Sequence, residues 1–343
     1  MEIVNPLNQY GWDELVSSHP SGSFFHTTSW ARVLAESYGY RPAYFVVRDK
    51  NCLRALLPVM EIRSILTGKR GVSLPFSDYA DSFAEDEEQY LSLAKTAMRH
   101  GTQGGWKTLE IRGGWYPWAE KEQSYVFLGH RLSLSGTESE IQAGFRTNIR
   151  RNISRALKAD VKVEISNSSE AVEAYYHLHC ITRKGHGIPP QPLKFFRKIQ
   201  EHVLQPNMGF VALATYRKSV VAGIVLFHHG DKAIYKFGAS SQEGKECRAN
   251  NLVMWEAIRW YRQKGYKEFC FGRTESINQG LREYKLGYGA SEYDLPYYKY
   301  NLSKDRGVAR KAEDYSGRLE RYYRKVPIPI SRIVGTLLYR HIG

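Results

Sequence analysis

Apolar residues along the chain recur with two periods, and the order in which those periods alternate outlines a fold. Trp12-Asp-Glu-Leu-Val predicts one short helix. Thr28-Ser-Trp-Ala-Arg-Val-Leu-Ala-Glu-Ser predicts a second, opened by a Thr/Ser cap. Residues 43–49 and 53–62 predict a β-hairpin turning at Asp49-Lys50-Asn51. Residues 71–81 read as loop, 85–100 as an amphipathic helix and 107–111 as a strand. Residues 125–134 predict a strand, and 139–158 a single helix with Ile141, Phe145, Ile149 and Ile153 at four-residue steps. A strand at 161–165 and helices at 170–184 and 193–203 follow.

The hairpin beginning Tyr44-Phe-Val-Val is echoed by Phe210-Val-Ala-Leu with Val220-Val-Ala-Gly-Ile-Val-Leu-Phe. A helix leading into Gly105-Trp-Lys-Thr-Leu-Glu-Ile-Arg is echoed, at nearly the same separation, by a helix leading into Gly265-Tyr-Lys-Glu-Phe-Cys-Phe-Gly-Arg. Agreement of element order and spacing points to an internal duplication. The second copy holds the densest pattern. Residues 232–240 form a strand, a basic loop runs to Arg248, and residues 250–264 form a helix apolar around most of its circumference. Residues 267–274 form another strand. Asn250-Asn251 is expected to cap the helix, and Gly265 to stop it. A strand, a loop and a helix N-terminus beside a second strand can direct backbone N–H groups at an anion.

Charge and composition narrow the function classes. The 343 residues carry a net charge of +14, which favours a polyanionic partner: RNA, a CoA-like nucleotide, a pyrophosphate-bearing sugar or lipid, or an anionic membrane surface. A basic protein with no such partner is the other reading. Arg151, Arg155 and Lys158 line one helix face, with Arg146 and Arg150 beside it, as a phosphate-facing stripe or a solvated face. Hydrophobic residues at 42% support a large core and exclude a disordered chain. Cys52, Cys180, Cys247 and Cys270 form no Cys-x-x-Cys pair, so free thiols in a reducing cytoplasm are expected. No apolar run nears the roughly 18 residues of a membrane span, and no signal peptide opens the chain. No metal site is expected: His177 and His179 stand two apart on a helix and point away from each other, and His228-His229 alternate across a strand. Neither a Gly-x-Ser-x-Gly elbow nor a Walker loop occurs.

Phe25-His-Thr-Thr-Ser-Trp-Ala, Thr182-Arg-Lys-Gly-His-Gly, Tyr235-Lys-Phe-Gly-Ala-Ser, Asn250-Asn-Leu-Val-Met-Trp-Glu-Ala-Ile and Phe271-Gly-Arg-Thr with Glu283-Tyr-Lys-Leu-Gly-Tyr-Gly together resemble the FemAB-like branch of the GNAT superfamily. The resemblance implies an α/β (α+β) chain of two tandem GNAT-like domains, each a mixed, mostly antiparallel sheet flanked by helices. The expected division is 1–134, 135–303 and a basic helical tail at 304–343. It also implies amide formation on an amino group of a cell-wall or exopolysaccharide precursor. The co-substrate would be aminoacyl-tRNA or acyl-CoA, with no tightly bound cofactor. An acyl-CoA-dependent N-acetyltransferase of a sugar or lipid-linked amine, and a non-catalytic nucleic-acid or membrane-binding module, are the alternatives.

In such folds the fourth and fifth strands splay to admit the acyl carrier. By that resemblance Gly238, Ala239 and Thr274 line the opening with Gly272 and Arg273. Arg248, Asn250 and Asn251 at the helix start are assigned to the carrier. The usual pyrophosphate loop, Arg/Gln-x-x-Gly-x-Gly/Ala, is here Arg248-Ala-Asn-Asn-Leu, without its glycines. No long heptad arm is visible. Lys285 stands where the family carries a functional lysine, and its cation is expected to stabilise a developing oxyanion or the leaving group. Arg183 and Tyr235 match positions that contact acceptor phosphates. Tyr284 and Arg273 are placed on the acceptor side with them. Asp78 is expected to hold the acceptor amine, and Glu275 to serve as general base. The tail carries Lys304, Arg306, Arg310, Lys311, Arg318, Arg321, Arg324 and Lys325. Ile330, Ile333, Val334, Leu337, Leu338 and Ile342 then lie on one stripe. That pattern suits either the inner face of a membrane or packing on the first domain. A cytoplasmic protein, peripheral to the inner membrane in the first case, is the expected location.

Overall fold

The computed structural model describes residues 1–49, 52–114, 124–304, 306–308 and 317–343. By proximity along the folded chain it divides into two units. One holds Met1–Leu128, Asp294–Glu313 and Leu337–Gly343; the other holds Gly129–Tyr293 and Asp314–Thr336. The division expected from the sequence is close at the first junction. It differs later, because the chain returns to the first unit after Tyr293 and the tail is shared out rather than standing apart.

The first unit opens with β1 (Glu2–Val4), α1 (Trp12–Ser18) and α2 (Thr28–Tyr38). Thr27 caps α2 by accepting from the Trp30 N–H, and Gly39 ends it in the left-handed conformation. The hairpin is β2 (Arg41–Asp49) with β3 (Cys52–Ser64); its turn at Lys50-Asn51 lies outside the described residues. β4 (Gly68–Val72), α3 (Glu87–Gln103) and β5 (Thr108–Arg112) complete a helix–strand repeat. Phe45, Leu57, Val59, Leu93, Ala97, Trp106, Leu109 and Ile111 form the core between α3 and the sheet. Gly71 and Gly101 allow this packing, since a Cβ at either would lie 2.2 and 2.7 Å from the Trp106 ring.

β6 (Tyr125–Ser133) leads into the second unit. The helix expected at 139–158 is two, α4 (Glu138–Ala143) and α5 (Thr147–Lys158). The break lies at Gly144–Arg146, where Phe145 is buried edge-on against Trp255 and Tyr288, at 5.3 and 5.1 Å between ring centroids. Burying that ring outweighs helix continuity through a glycine. β7 (Lys162–Ser166), α6 (Ser169–His186), α7 (Leu193–Ile199), β8 (Gly209–Tyr216), β9 (Ser219–His229) and β10 (Lys232–Ser240) follow, then the short α8 (Gln242–Glu246). α9 (Ala249–Gln263), β11 (Glu268–Glu275) and α10 (Gln279–Leu286) complete the second helix–strand repeat. β7, β8, β9 and β10 form an antiparallel meander, and β11 joins β10 in parallel. Leu252, Val253, Trp255, Ile258 and Tyr261 of α9 fill the core above this sheet.

β12 (Ser291–Asn301) has no counterpart in the sequence reading. Pro296 and the acids Glu292 and Asp294 interrupt its apolar pattern. Its Tyr297–Asn301 stretch pairs antiparallel with β5 inside the first unit. Two helices end the chain, α11 (Gly317–Lys325) and α12 (Ile328–Ile342). Within the second unit the Glu320 backbone lies against Gly187, and the Pro190 carbonyl against Gly335. Within the first, the Tyr40 hydroxyl donates to the Tyr339 carbonyl at 3.1 Å. No described helix is long and apolar enough to cross a membrane. The four cysteines are free.

Candidate active site in the second unit

β10 and β11 pair at only three positions: Lys232 with Glu268, Ala233 with Phe269, and Ile234 with Cys270. Both strands continue beyond that ladder, β10 to Ser240 and β11 to Glu275. A bulge shifts the register of β10 between Tyr235 and Phe237, and Gly272 in β11 takes φ of 68°. These two irregularities end the pairing where the sequence reading expects the strands to splay.

Parting two strands removes ladder partners from backbone groups, which must then be satisfied otherwise. Lys285 does this for β11. Its Nζ donates to the Gly272 and Arg273 carbonyls, at 2.9 Å each, and the side chain is 2% exposed. Lys285 therefore sits beneath the parted strand, held by the backbone. Burial first, and then the Lys285 cation, push the buried His130 imidazole down to about 4, against the opposing pull of Glu292. Glu292 accepts from His130 Nε2 at 3.1 Å and from Arg282 twice at 2.7 Å, and its carboxyl is held below the usual range, chiefly by Arg282.

A cleft of about 370 Å³ opens at the start of α9. Arg146, Asn148 and Asn152 of the α5 end, Lys245 and Arg248 before α9, and Glu283 and Tyr284 of α10 line it, together with Asn250 and Asn251. The N-cap residue of α9 makes no side-chain hydrogen bond to the first turn, and the Asn251 N–H donates to the Arg248 carbonyl at 3.0 Å. Its N-cap is Arg248, in the left-handed conformation at φ 65°, rather than the Asn250-Asn251 pair. The left-handed turn usually supplied by a glycine is thus made by an arginine, at a conformational cost of roughly 1–2 kcal/mol. Arg146 is bound by the Glu283 carboxylate. The cleft gathers three cations and one anion beside helix N-termini, a setting that attracts phosphate.

The two asparagines are turned to other work. Asn250 Nδ2 donates to Ser240 Oγ at 3.1 Å, joining the helix start to the end of β10. Asn251 Nδ2 donates to the Tyr288 hydroxyl at 3.2 Å. The Tyr284 hydroxyl donates to the Asn250 carbonyl at 3.2 Å, and Tyr288 lies 3.3 Å from it. Burial raises both phenols well above their ordinary range, so they act as neutral hydrogen-bonding groups.

The other expected residues fall in distinct places. Tyr235 folds back over Gly238: a Cβ there would lie 1.8 Å from the Tyr235 hydroxyl. Gly238 is therefore required by Tyr235, and its open face is covered rather than bare. Arg183 and Tyr235 both act electrostatically on the buried Tyr175, which brings α6 and β10 to one place. Ala239 and Thr274 are buried. The Thr274 hydroxyl has no hydrogen-bond partner among the described residues. Arg273 is half-buried and Glu275 exposed at the end of β11; neither lines the cleft. Asp78 belongs to the first unit, in a buried loop where its carbonyl accepts from the Tyr297 hydroxyl at 2.7 Å. Asn148, Asn152 and His130 carry no motif signal, and Glu283 and Tyr288 stand inside the Glu283–Gly289 motif without being singled out there. On α10, however, Gly280, Glu283 and Tyr284 share a helical face that Lys285 leaves, and that spacing was the available clue.

Residues 143–294 match the family model described as an acetyltransferase (GNAT) domain. The chain is 21% identical to a lipid II:glycine glycyltransferase of Staphylococcus haemolyticus (strain JCSC1435), over 84% of this chain and 90% of that protein. A crystal structure of FemX superposes with a TM-score of 0.69 at 15% identity, covering 86% of this chain and 97% of FemX. A tandem GNAT protein from the clavulanic acid biosynthesis pathway superposes at 0.57, with 9% identity and 88% and 98% coverage. With the tandem architecture and the parted strands, these matches identify an acyltransferase: residues 143–294 form a GNAT domain, and the chain as a whole resembles the FemAB-like branch of the GNAT superfamily.

Proposed function

We propose that the second unit transfers an aminoacyl group from a charged tRNA to an amino group of a peptidoglycan precursor. The observation that carries this reading is the cationic cleft at the start of α9, beside strands that part after three pairs. The acceptor amine attacks the ester carbonyl of the donor, and a tetrahedral oxyanion forms. Its collapse breaks the acyl–oxygen bond, leaves an amide, and returns the proton to the released ribose hydroxyl. Arg248, Lys245 and Arg146 would neutralise the donor's terminal phosphates. Thr274, buried with an unpaired hydroxyl, would bond the donor where the strands part. Arg183 and Tyr235 would hold acceptor phosphates. Lys285 would keep β11 open and lend its positive field to the oxyanion. Glu275, Arg273 and Tyr284 remain assigned to the proton transfer and the acceptor side, and Asp78 to the acceptor amine.

The charge distribution favours tRNA over CoA. Arg150, Arg151, Arg155 and Lys158 lie exposed along α5, which starts at the cleft. Twelve helical residues span roughly 18 Å, far longer than one pyrophosphate. The glycyltransferase relative supports a lipid-linked peptidoglycan precursor as acceptor. An acyl-CoA donor with an exopolysaccharide or lipid-linked amine is the second reading, favoured by the acetyltransferase domain match.

The test is competitive retention of purified protein by aminoacylated bulk tRNA and by acetyl-CoA. Salt-sensitive binding of the tRNA, lost in Arg248→Glu, is expected. Binding of acetyl-CoA alone would establish the second reading. Binding of neither would leave a non-catalytic module.

A further inference from the structure

α12 is amphipathic in the inverted sense. Its inward positions in the second unit are small: Ser331 is 3% exposed, and a Cβ on Gly335 would lie 1.9 Å from the Pro190 carbonyl. Its large aliphatic residues point outward, with Ile330, Ile333 and Leu337 exposed at 52%, 62% and 63%. A helix whose only task was to close a core would bury those side chains and expose the serine. The spacing of three and four residues makes them a single stripe along one helix.

The segment that leads into that stripe is cationic. α11, which precedes it, exposes Arg321, Arg324 and Lys325 beside Tyr322, itself 69% exposed. Arg332 is exposed within α12 and lies over the Tyr176 ring at 5.2 Å. We propose that α11 and the outward face of α12 form a docking surface for an anionic lipid bilayer. The aliphatic stripe enters the interface, Tyr322 sits at headgroup depth, and the basic side chains meet lipid phosphates. A second copy of the chain is the competing occupant of an apolar stripe. Pairing two copies there would bring clusters of like charge together, whereas an anionic bilayer neutralises them. The proposal rests on α11 and α12 alone, so it stands or falls separately from the assignment of the cleft.

The experiment is flotation of the full chain with vesicles of phosphatidylcholine, with and without phosphatidylglycerol. Wild type should float with the phosphatidylglycerol vesicles and stay behind with phosphatidylcholine alone. Added salt should weaken binding only in part, because the aliphatic share is not screened. The variant Ile330→Glu/Ile333→Glu should lose at least tenfold in partitioning, with unchanged melting temperature and unchanged tRNA retention. Arg324→Glu/Lys325→Glu should retain the apolar stripe but lose most of the preference for phosphatidylglycerol. Three results would overturn the proposal. They are failure of wild type to float, flotation of the Ile330/Ile333 variant like wild type, and a wild-type dimer in solution that this variant dissociates.

Discussion

Removing the Lys285 ammonium separates two duties that a family motif alone would merge. A lysine serving only the transition state would cost about 2–4 kcal/mol in the activation barrier on substitution, and within about 0.5 kcal/mol in stability. The structure gives a different account. Lys285 is 2% exposed and satisfies two carbonyls of the parted strand, each at 2.9 Å. Hydrogen bonds to a charged group contribute roughly 1.5–3 kcal/mol each, and an unsatisfied buried acceptor costs about 1–3 kcal/mol. Against this stands the relief of no longer burying a cation. Lys285→Ala should therefore destabilise the protein by roughly 2–4 kcal/mol, read as a shift in urea midpoint. Turnover should fall as well, since β11 would close on the opening. Lys285→Arg, which keeps the charge with different geometry, should recover stability in part. If Lys285→Ala left stability within about 0.5 kcal/mol while turnover fell a hundredfold or more, the ammonium would be working on the transition state, and its backbone bonds would be incidental.

Other perturbations read the cleft and the buried histidines. Arg248→Gly removes a cation but relaxes a left-handed residue. Urea unfolding should show stability unchanged or raised by up to about 1 kcal/mol, while tRNA retention weakens; a loss of stability would contradict the strained turn. Arg155→Glu on the exposed face of α5 should reduce the slope of log Kd against log salt by about one or more for tRNA, and leave acetyl-CoA binding alone. His130 is depressed to about 4 and His179 well below 6.5, both chiefly by burial. The unfolded chain thus binds more protons than the native one below about 6.5. Stability should be full above that pH and fall toward about 4, by about 1.4 kcal/mol per pH unit for each histidine. His130→Gln should flatten the profile of urea midpoint against pH, if it folds.

Much of this fold is legible in residue order. The ends of β10 agree with the reading of the sequence, and α9 and β11 shift by a residue, because dense apolar runs bounded by Gly230 and Gly265 leave little freedom. The features that escape are those decided by tertiary contact. Phe145 splits a continuous helical pattern because two aromatic rings wait for it. β12 forms across Pro296 because β5 offers it an edge. Asn250 and Asn251 look like caps, yet their side chains join Ser240 and Tyr288, and the cap falls to an arginine that no propensity would choose. Within the cleft, Arg248 and Lys245 announce themselves as a basic loop. Glu283 does not, since its relation to Arg146 exists only once α10 lies beside α5.

The duplication makes the chemistry of the two helix starts comparable. α3 of the first unit and α9 of the second hold equivalent places in their repeats, between a hairpin and the strand that follows. The first turn of α3 is closed. Asp86 accepts from the Gln89 N–H at 2.8 Å, and Glu87 and Glu88 add negative charge where the helix dipole favours it. An external phosphate there would find its donor taken and its charge opposed. α9 presents the reverse condition: its N-cap residue gives the first turn no side-chain acceptor, only the Arg248 carbonyl for the Asn251 N–H, and Arg248 and Lys245 line the cleft there. Orphan N–H groups at a helix start are satisfied by a side chain, by water or by a ligand. A helix start left without a side-chain cap and lined by cations is the one prepared for a ligand. The difference between the copies is therefore electrostatic before it is architectural, and under the proposed function it is the reason to assign the acyl carrier to the second.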